Sequence, residues 1–148
     1  MAQVEMKHEY LAPAQILEAE VERLGIPKPQ LPLVPLADQL LGTWVNCNHQ
    51  TRSLVRLVIE PVGQEVTLHA FGACSPNPCD WLKVPGMIYE ENVTSRNVIA
   101  FTGLYKFNFA QVILTGHLLE GALMVESFTH FTDSSGRSDF YSLDVMTK

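Results

Sequence analysis

The sequence has few basic residues and no basic run. Ten Lys and Arg stand against sixteen Asp and Glu in 148 residues, which gives a formal net charge of −6. Because affinity for a phosphate backbone comes from clustered cations, this balance argues against a nucleic-acid partner. No segment approaches about 18 uninterrupted apolar residues, and the polar N-terminus has no apolar run typical of a signal peptide. We therefore expect a soluble cytoplasmic protein with no membrane partner.

Cysteine is also scarce, and the three present do not form a metal motif. Cys74 and Cys79 flank a proline-rich loop, and Cys47 is the third. A zinc site needs four soft ligands, and only His69 is near in sequence, so we predict no metal and no cofactor. A disulfide between Cys74 and Cys79 is geometrically feasible, but a reducing cytosol would keep both thiols free. We predict two structural thiols, with a redox-active pair as the alternative.

Helical periodicity is confined to one short stretch. From Pro13 to Leu24, apolar residues recur at helical spacing, and Gly25 stands where a C-terminal cap belongs; the apolar positions are Ile16, Leu17, Val21 and Leu24. Four prolines between Ile26 and Pro35 then predict an extended strap. We assign residues 1–39 to this helix and strap, acting as a lid over a barrel end. Docking on the barrel's outer wall or on another subunit is the alternative.

Beyond residue 40 the pattern changes to short strands separated by turn residues. Eight strands are predicted, at approximately 40–47, 53–60, 65–73, 85–91, 97–105, 108–118, 122–131 and 138–147. The connections are too short for parallel crossovers, so the strands form an antiparallel meander. Eight strands in up-and-down order close most naturally into a barrel, which leaves no free sheet edge. The predicted fold is mainly β, with residues 40–148 as an eight-stranded antiparallel barrel.

A two-residue turn at Glu120-Gly121 predicts the register of its hairpin. Leu118 would pair with Leu123, and the pairs that follow on the same face are Gly116 with Val125, Leu114 with Ser127, Val112 with Thr129, and Ala110 with Phe131. We place this apolar, mostly small face inside, because small side chains leave room in the lumen. The opposite face mixes Ile113, Met124 and Phe128 with polar residues, which suits a contact between subunits and hence a homo-oligomer.

The Gly42-Thr43-Trp44 opening, followed by eight meander strands, resembles the calycin superfamily, the lipocalins and avidins. That resemblance covers the chain from Leu40 onward. It implies a barrel with a ligand site at one open mouth, and a cation from the last strand packed across the Trp of the first. Arg137 and Lys148 flank the last strand here. Segments 71–81 and 131–137 resemble features of a bacterial family, and no activity is implied by them.

We therefore predict that a small, largely apolar molecule binds in the barrel lumen. The expected lining residues are Trp44, Ser127, Thr129, Phe131 and Tyr141, with the mouth near Trp81. Binding would combine burial of an apolar body with a few hydroxyl contacts. No catalytic residue is assigned.

Two other functions stay open. The first is a small barrel enzyme, a cyclase or isomerase that folds a reactive apolar substrate, for which shape alone can supply catalysis. The ionisable residues available for proton transfer are Arg56, His69, Asp80, His117, Glu126 and His130. Glu126 and His130 would face the lumen only if the predicted register were wrong by one residue. The second is an oligomeric scaffold with a filled lumen. The segment from Asp133 to Asp139 lacks the ligand pattern of a calcium loop and predicts a tight turn.

Overall fold

The computed structural model describes residues 38–148, which form a closed antiparallel barrel of eight strands in sequence order. The strands are β1 (Gly42–Asn46), β2 (Leu54–Val62), β3 (Glu65–Gly72), β4 (Cys79–Glu90), β5 (Val98–Lys106), β6 (Ala110–Leu119), β7 (Ala122–Phe131) and β8 (Phe140–Thr147). The predicted fold is confirmed for this part of the chain. The predicted helix, strap and lid lie outside the described residues. Across 38–148 no helix is long and apolar enough to cross a membrane.

Strand β4 begins six residues earlier than the sequence predicted, at Cys79 rather than near 85. A β-bulge explains the difference, because Ala70 of β3 stands opposite both Trp81 and Leu82 of β4. Leu82 has a φ of 67° and is 68% exposed, and the side chain of Lys83 also lies outside. Two successive outward residues break the alternation that marks a strand in the sequence. The bulge leaves Trp81 facing the lumen.

The register of the β6–β7 hairpin is the predicted one. Ten pairs run from Leu119 with Ala122 to Ala110 with Phe131. Leu114, Val125 and Ser127 are buried inside, whereas Ile113 and Phe128 are 50% and 44% exposed on the outer wall. The assignment of the small apolar face to the lumen is therefore confirmed.

The two ends of the barrel differ in packing. We call the end where β1 begins the closed end; its connections are 63–64, 91–97 and 120–121. Large apolar side chains fill this half, among them Leu57, Leu68 and Phe101, each at most 1% exposed. The Phe101 ring occupies the space that a side chain at Gly116 would need. Gly116 therefore leaves no room for a ligand, contrary to prediction, because its partner strand supplies the filling ring.

Trp44 lies within the closed end, 2% exposed, and its indole N–H donates to the carbonyl of Leu40 at 2.8 Å. The ammonium group of Lys148 lies 5.0 Å from the centre of the Trp44 ring. Arg137 packs elsewhere, over Phe131 at 4.1 Å. Of the two candidate cations flanking β8, Lys148 is therefore the one that covers the indole, by a cation–π contact.

The barrel closes through a short seam. Strands β1 and β8 share only two register pairs, Val45 with Thr147 and Asn46 with Met146, and the amide of Cys47 donates to Val145 at 2.8 Å. Above this point β8 continues for several residues, while the chain after β1 leaves the sheet as the loop 47–53. Side chains of that loop, rather than a backbone ladder, join the upper part of β8 to its neighbour.

Candidate functional site

A cavity of about 1510 Å³ occupies the end of the barrel opposite Trp44, which we call the open end. The four connections there, 47–53, 73–78, 107–109 and 132–139, surround its mouth. Its walls come from the upper, inward residues of the strands. The closed-end core below it provides a packed floor. A pocket lying in the mouth of a β-barrel is a common place for a ligand site.

Aromatic side chains form one wall of this cavity, from the core to the mouth. The ring of Trp81 lies edge-on to Tyr105 and to Phe107, each at 5.3 Å, and Phe107 stacks on Phe109 at 5.4 Å. Arg137 covers Phe131 at the rim. The lack of a side chain at Gly72 makes room for Trp81, because a Cβ at that position would lie 2.9 Å from the indole nitrogen. The arrangement offers flat apolar surface to a molecule that enters the barrel.

Tyr105 joins the aromatic wall to the packed half. Its hydroxyl accepts from the amide of Ala70 at 3.1 Å and lies 2.9 Å from the carbonyl oxygen of Leu82. Burial raises the pKa of Tyr105 to about 12, because the phenolate would lose its hydration. The side chain therefore stays neutral at ordinary pH and locks the bulged part of β4 against β3.

The opposite side of the cavity is polar and centres on a buried carboxylate. Asp144 of β8 is 5% exposed. Its Oδ1 accepts from Asn46 Nδ2 at 2.9 Å and from the Thr51 hydroxyl at 3.5 Å, and its Oδ2 accepts from the Ser53 hydroxyl at 2.7 Å. These bonds connect β8 to β1 and to the loop 47–53. Within residues 38–148 no Lys, Arg or His forms an ion pair with this carboxylate.

Ser127 of β7 lies beside this group and has an unused hydroxyl. It pairs across the sheet with Ser142, whose hydroxyl is 3.3 Å from that of Ser53. Ser127 Oγ is buried and, within residues 38–148, has no hydrogen-bond partner. Buried polar groups are rarely left unpaired, since the loss costs about 1–3 kcal/mol. Ser127 is one of the residues that line the cavity, so a bound molecule that reaches this hydroxyl would supply the missing partner.

The structure brings together four of the six predicted lining residues. Trp81, Ser127, Thr129 and Phe131 all line the cavity. Trp44 does not, because the core lies between it and the open space. Tyr141 was expected inside, but it lies on the outer wall, 52% exposed, with its ring 5.3 Å from that of Phe128. Side chains alternate between the two faces of a strand, and the prediction assigned the faces of β8 one residue out of step.

The polar group around Asp144 was missed in the sequence, although a signal exists. In Phe140–Thr147 the inward residues are Ser142, Asp144 and Met146, so a carboxylate occupies an inward position. Asn46 carries the same signal, because it lies two residues after the inward Trp44, whereas Ser53 carries none. Asn46 ends β1, and Ser53 belongs to a loop whose path alone brings it to Asp144.

The acid and base residues weighed for catalysis lie outside the lumen, except Asp80, which lines the mouth of the cavity. His69 Nε2 is 2.6 Å from Asp80 Oδ1, and His69 stacks on Phe71, which Arg56 covers at 4.0 Å. The hydrogen bond from His69 lowers the pKa of Asp80. A second pair, His130 and Asp139 at 2.7 Å, lies at the outer rim, and the bond from His130 lowers the pKa of Asp139. His117 is likewise exposed, and Glu126 shares the outer face of β7.

Two loops at the mouth are held by local bonds. Cys74 and Cys79 form a disulfide, with 5.4 Å between their Cα atoms, rather than the two free thiols predicted. The fold explains the pairing, because β4 starts at Cys79 and brings it beside the end of β3. In the loop 132–139, Asp133 Oδ1 accepts from the hydroxyl of Ser135 at 2.6 Å and Oδ2 accepts from Arg137 at 2.9 Å. The Asp133 carboxylate also accepts from the backbone amide of Ser135 at 3.3 Å, as predicted, but the connection is an eight-residue loop rather than a tight turn.

No group of three or more potential metal ligands occurs among the described residues. Comparison of the chain with known family profiles, with curated proteins and with solved structures finds no match. The function is therefore inferred from the geometry of the cavity.

Proposed function

We propose that this protein is a calycin-like binding barrel that holds a small, largely apolar molecule in its lumen. One observation carries the proposal: Ser127 lines the cavity, and its buried hydroxyl has no hydrogen-bond partner within residues 38–148. A lumen meant only as a solid core would be filled at this level, as it is around Phe101. Lys148 packed across Trp44 also supports the calycin resemblance, which implies such a cation on the last strand.

The aromatic wall and the polar residues would contact different parts of the ligand. The rings of Trp81 and Phe107 would cover the apolar body of the ligand, which removes apolar surface from water. Ser127 and Thr129 supply hydroxyl contacts that orient it. The floor is rigid because the closed end below is fully packed, so the site is largely formed before a ligand arrives.

An enzyme that folds a reactive apolar substrate is the second candidate. The observation that favours it is Asp144, a buried carboxylate beside the cavity, since a lumen acid or base is what proton transfer during cyclisation or isomerisation requires. Glu126 and His130 do not support it, because both belong to the outer face.

Binding of a fluorescent apolar probe tests the proposal. N-phenyl-naphthylamine should gain fluorescence with the full chain and lose affinity by at least about tenfold, about 1.4 kcal/mol, in Thr129→Phe, because the added ring would occupy lumen space that the probe needs. Gln111→Phe adds the same ring to the outer face and serves as the matched control. Equal binding by all three proteins would contradict the lumen as the site.

Native mass spectrometry of the protein purified from its source separates binding from catalysis. A retained molecule that is released unchanged supports binding. Conversion of that molecule on incubation, lost in Asp144→Asn, supports the enzyme.

A further inference from the structure

Among residues 38–148, the negative charge on the polar side of the cavity has no matching positive charge. Asp144 is held by three neutral donors, Asn46, Thr51 and Ser53, which satisfy its hydrogen bonds but not its charge. A carboxylate removed from water is stabilised far better when a cation accompanies it. In the described part of the chain that cation is missing, and the carboxylate borders open space.

Asp144 and the neighbouring serines can accept further hydrogen bonds. A carboxylate has about four lone-pair sites, and within residues 38–148 Oδ2 of Asp144 receives only the bond from Ser53. The Ser53 hydrogen is used in that bond, so Ser142 donates to Ser53 and keeps lone pairs of its own. Ser127, the cross-strand partner of Ser142, provides the third oxygen. Three oxygen acceptors thus lie on neighbouring inward positions.

This number matches the donors of an ammonium group, which carries three N–H bonds and no acceptor. We propose that the cavity recognises the ammonium group of a primary amine, held by Asp144, Ser127 and Ser142, with the apolar body of the amine along the aromatic wall. The inference rests on the proposed function, since it names the chemical class of the same lumen ligand.

Other charges near the cavity lie at its rim. Arg137 is neutralised by Asp133 and stacked on Phe131, and Arg52 is exposed in the loop 47–53. Asp80 lies at the mouth and is bonded to His69. Their charges are screened by solvent, whereas Asp144 acts in a buried setting where an ion pair is stronger. The buried carboxylate therefore decides which head group is preferred inside.

Competition among three ligands of equal chain length tests the inference on the unmodified full chain. n-Octylamine, n-octanol and octanoate are titrated at neutral pH against bound N-phenyl-naphthylamine. The amine should displace the probe at a concentration about tenfold or more below the alcohol, because a charge-assisted bond exceeds a neutral one. Octanoate should be the weakest competitor. If the probe itself does not bind, the proposed function fails; if it binds and the amine has no advantage, only the present inference fails.

The variant Asp144→Asn removes the charge while keeping the shape. It should abolish the advantage of the amine, because the ion pair is lost, and leave n-octanol within about twofold. One acceptor oxygen also becomes an amide donor, so the bonds from Asn46, Thr51 and Ser53 cannot all be kept. Glu65→Gln, an exposed change at the closed end, removes the same charge from the chain and should preserve the wild-type ranking. A lower thermal midpoint in Asp144→Asn with the ranking unchanged would show a purely structural tether and overturn the inference. Preference for octanoate in the wild type would also overturn it.

Discussion

The two halves of the barrel are built from the same strands but use their inward positions differently. At the closed end, large side chains cover glycines of nearby strands, as Phe101 covers Gly116 of the adjacent strand, and no space remains. At the open end the inward positions carry Ser127, Thr129 and Ser142, and a cavity of about 1510 Å³ is left. A small inward residue therefore leaves space in the lumen only when the neighbouring side chains do not occupy that space.

The halves also differ in how the sheet is held together. Near the floor, β1 and β8 meet through backbone pairing, whereas higher up the loop 47–53 is tied to β8 through Asp144. Backbone pairing uses main-chain hydrogen bonds and does not depend on side-chain charge. The tether needs a buried carboxylate, and in our proposal the same carboxylate also contacts the ligand.

The largest expected effect concerns a single inward position of the closed end. Gly116→Leu should lower the free energy of unfolding by about 3 kcal/mol, because its side chain must displace the Phe101 ring. Thr129→Leu, a similar enlargement at the open end, should cost less than about 1 kcal/mol, because it extends into the cavity. Urea unfolding of both variants measures the difference. Equal costs would show that the two halves are packed alike.

An intermediate effect is expected at Tyr105, where the packed half meets the cavity. Its folded pKa of about 12 lies above the unfolded value of 10.0, so its contribution is complete below pH 10.0 and is lost as pH rises toward 12. The unfolded chain releases the phenolic proton first, which favours unfolding in that window.

Tyr105→Phe removes this dependence and should cost about 1–3 kcal/mol at neutral pH, because the Ala70 amide loses its acceptor. Urea unfolding of the variant and the wild type, each at about pH 8 and about pH 11, gives both quantities. An equal alkaline loss in the two proteins would assign it to other groups.

The smallest expected effect is at Ser127. Ser127→Ala removes a buried hydroxyl that has no partner within residues 38–148, so the free energy of unfolding should stay unchanged or rise by up to about 1 kcal/mol. Ser53→Ala is the matched control and should cost about 1.5–3 kcal/mol, because its hydroxyl donates to the Asp144 carboxylate. A clear loss of stability in Ser127→Ala would mean that the hydroxyl is already satisfied.

Local signals explain why much of the fold was predictable. Alternating apolar residues and short turns indicate eight antiparallel strands, and the two-residue turn at Glu120-Gly121 determines the whole β6–β7 register. From that register followed the inward positions of Ser127, Thr129 and Phe131. The β7–β8 connection of eight residues, 132–139, sets no register by its length, and Tyr141 was accordingly placed on the wrong face.

The sequence by itself determined the barrel and one wall of its cavity, because strand alternation and tight turns act between residues close along the chain. Only the tertiary structure decided the rest. Lys148 over Trp44, Phe101 over Gly116, and Asn46 and Ser53 on Asp144 join residues far apart in the sequence. Such contacts depend on how the barrel closes and where its bulge lies, and neither feature can be predicted from a local sequence pattern.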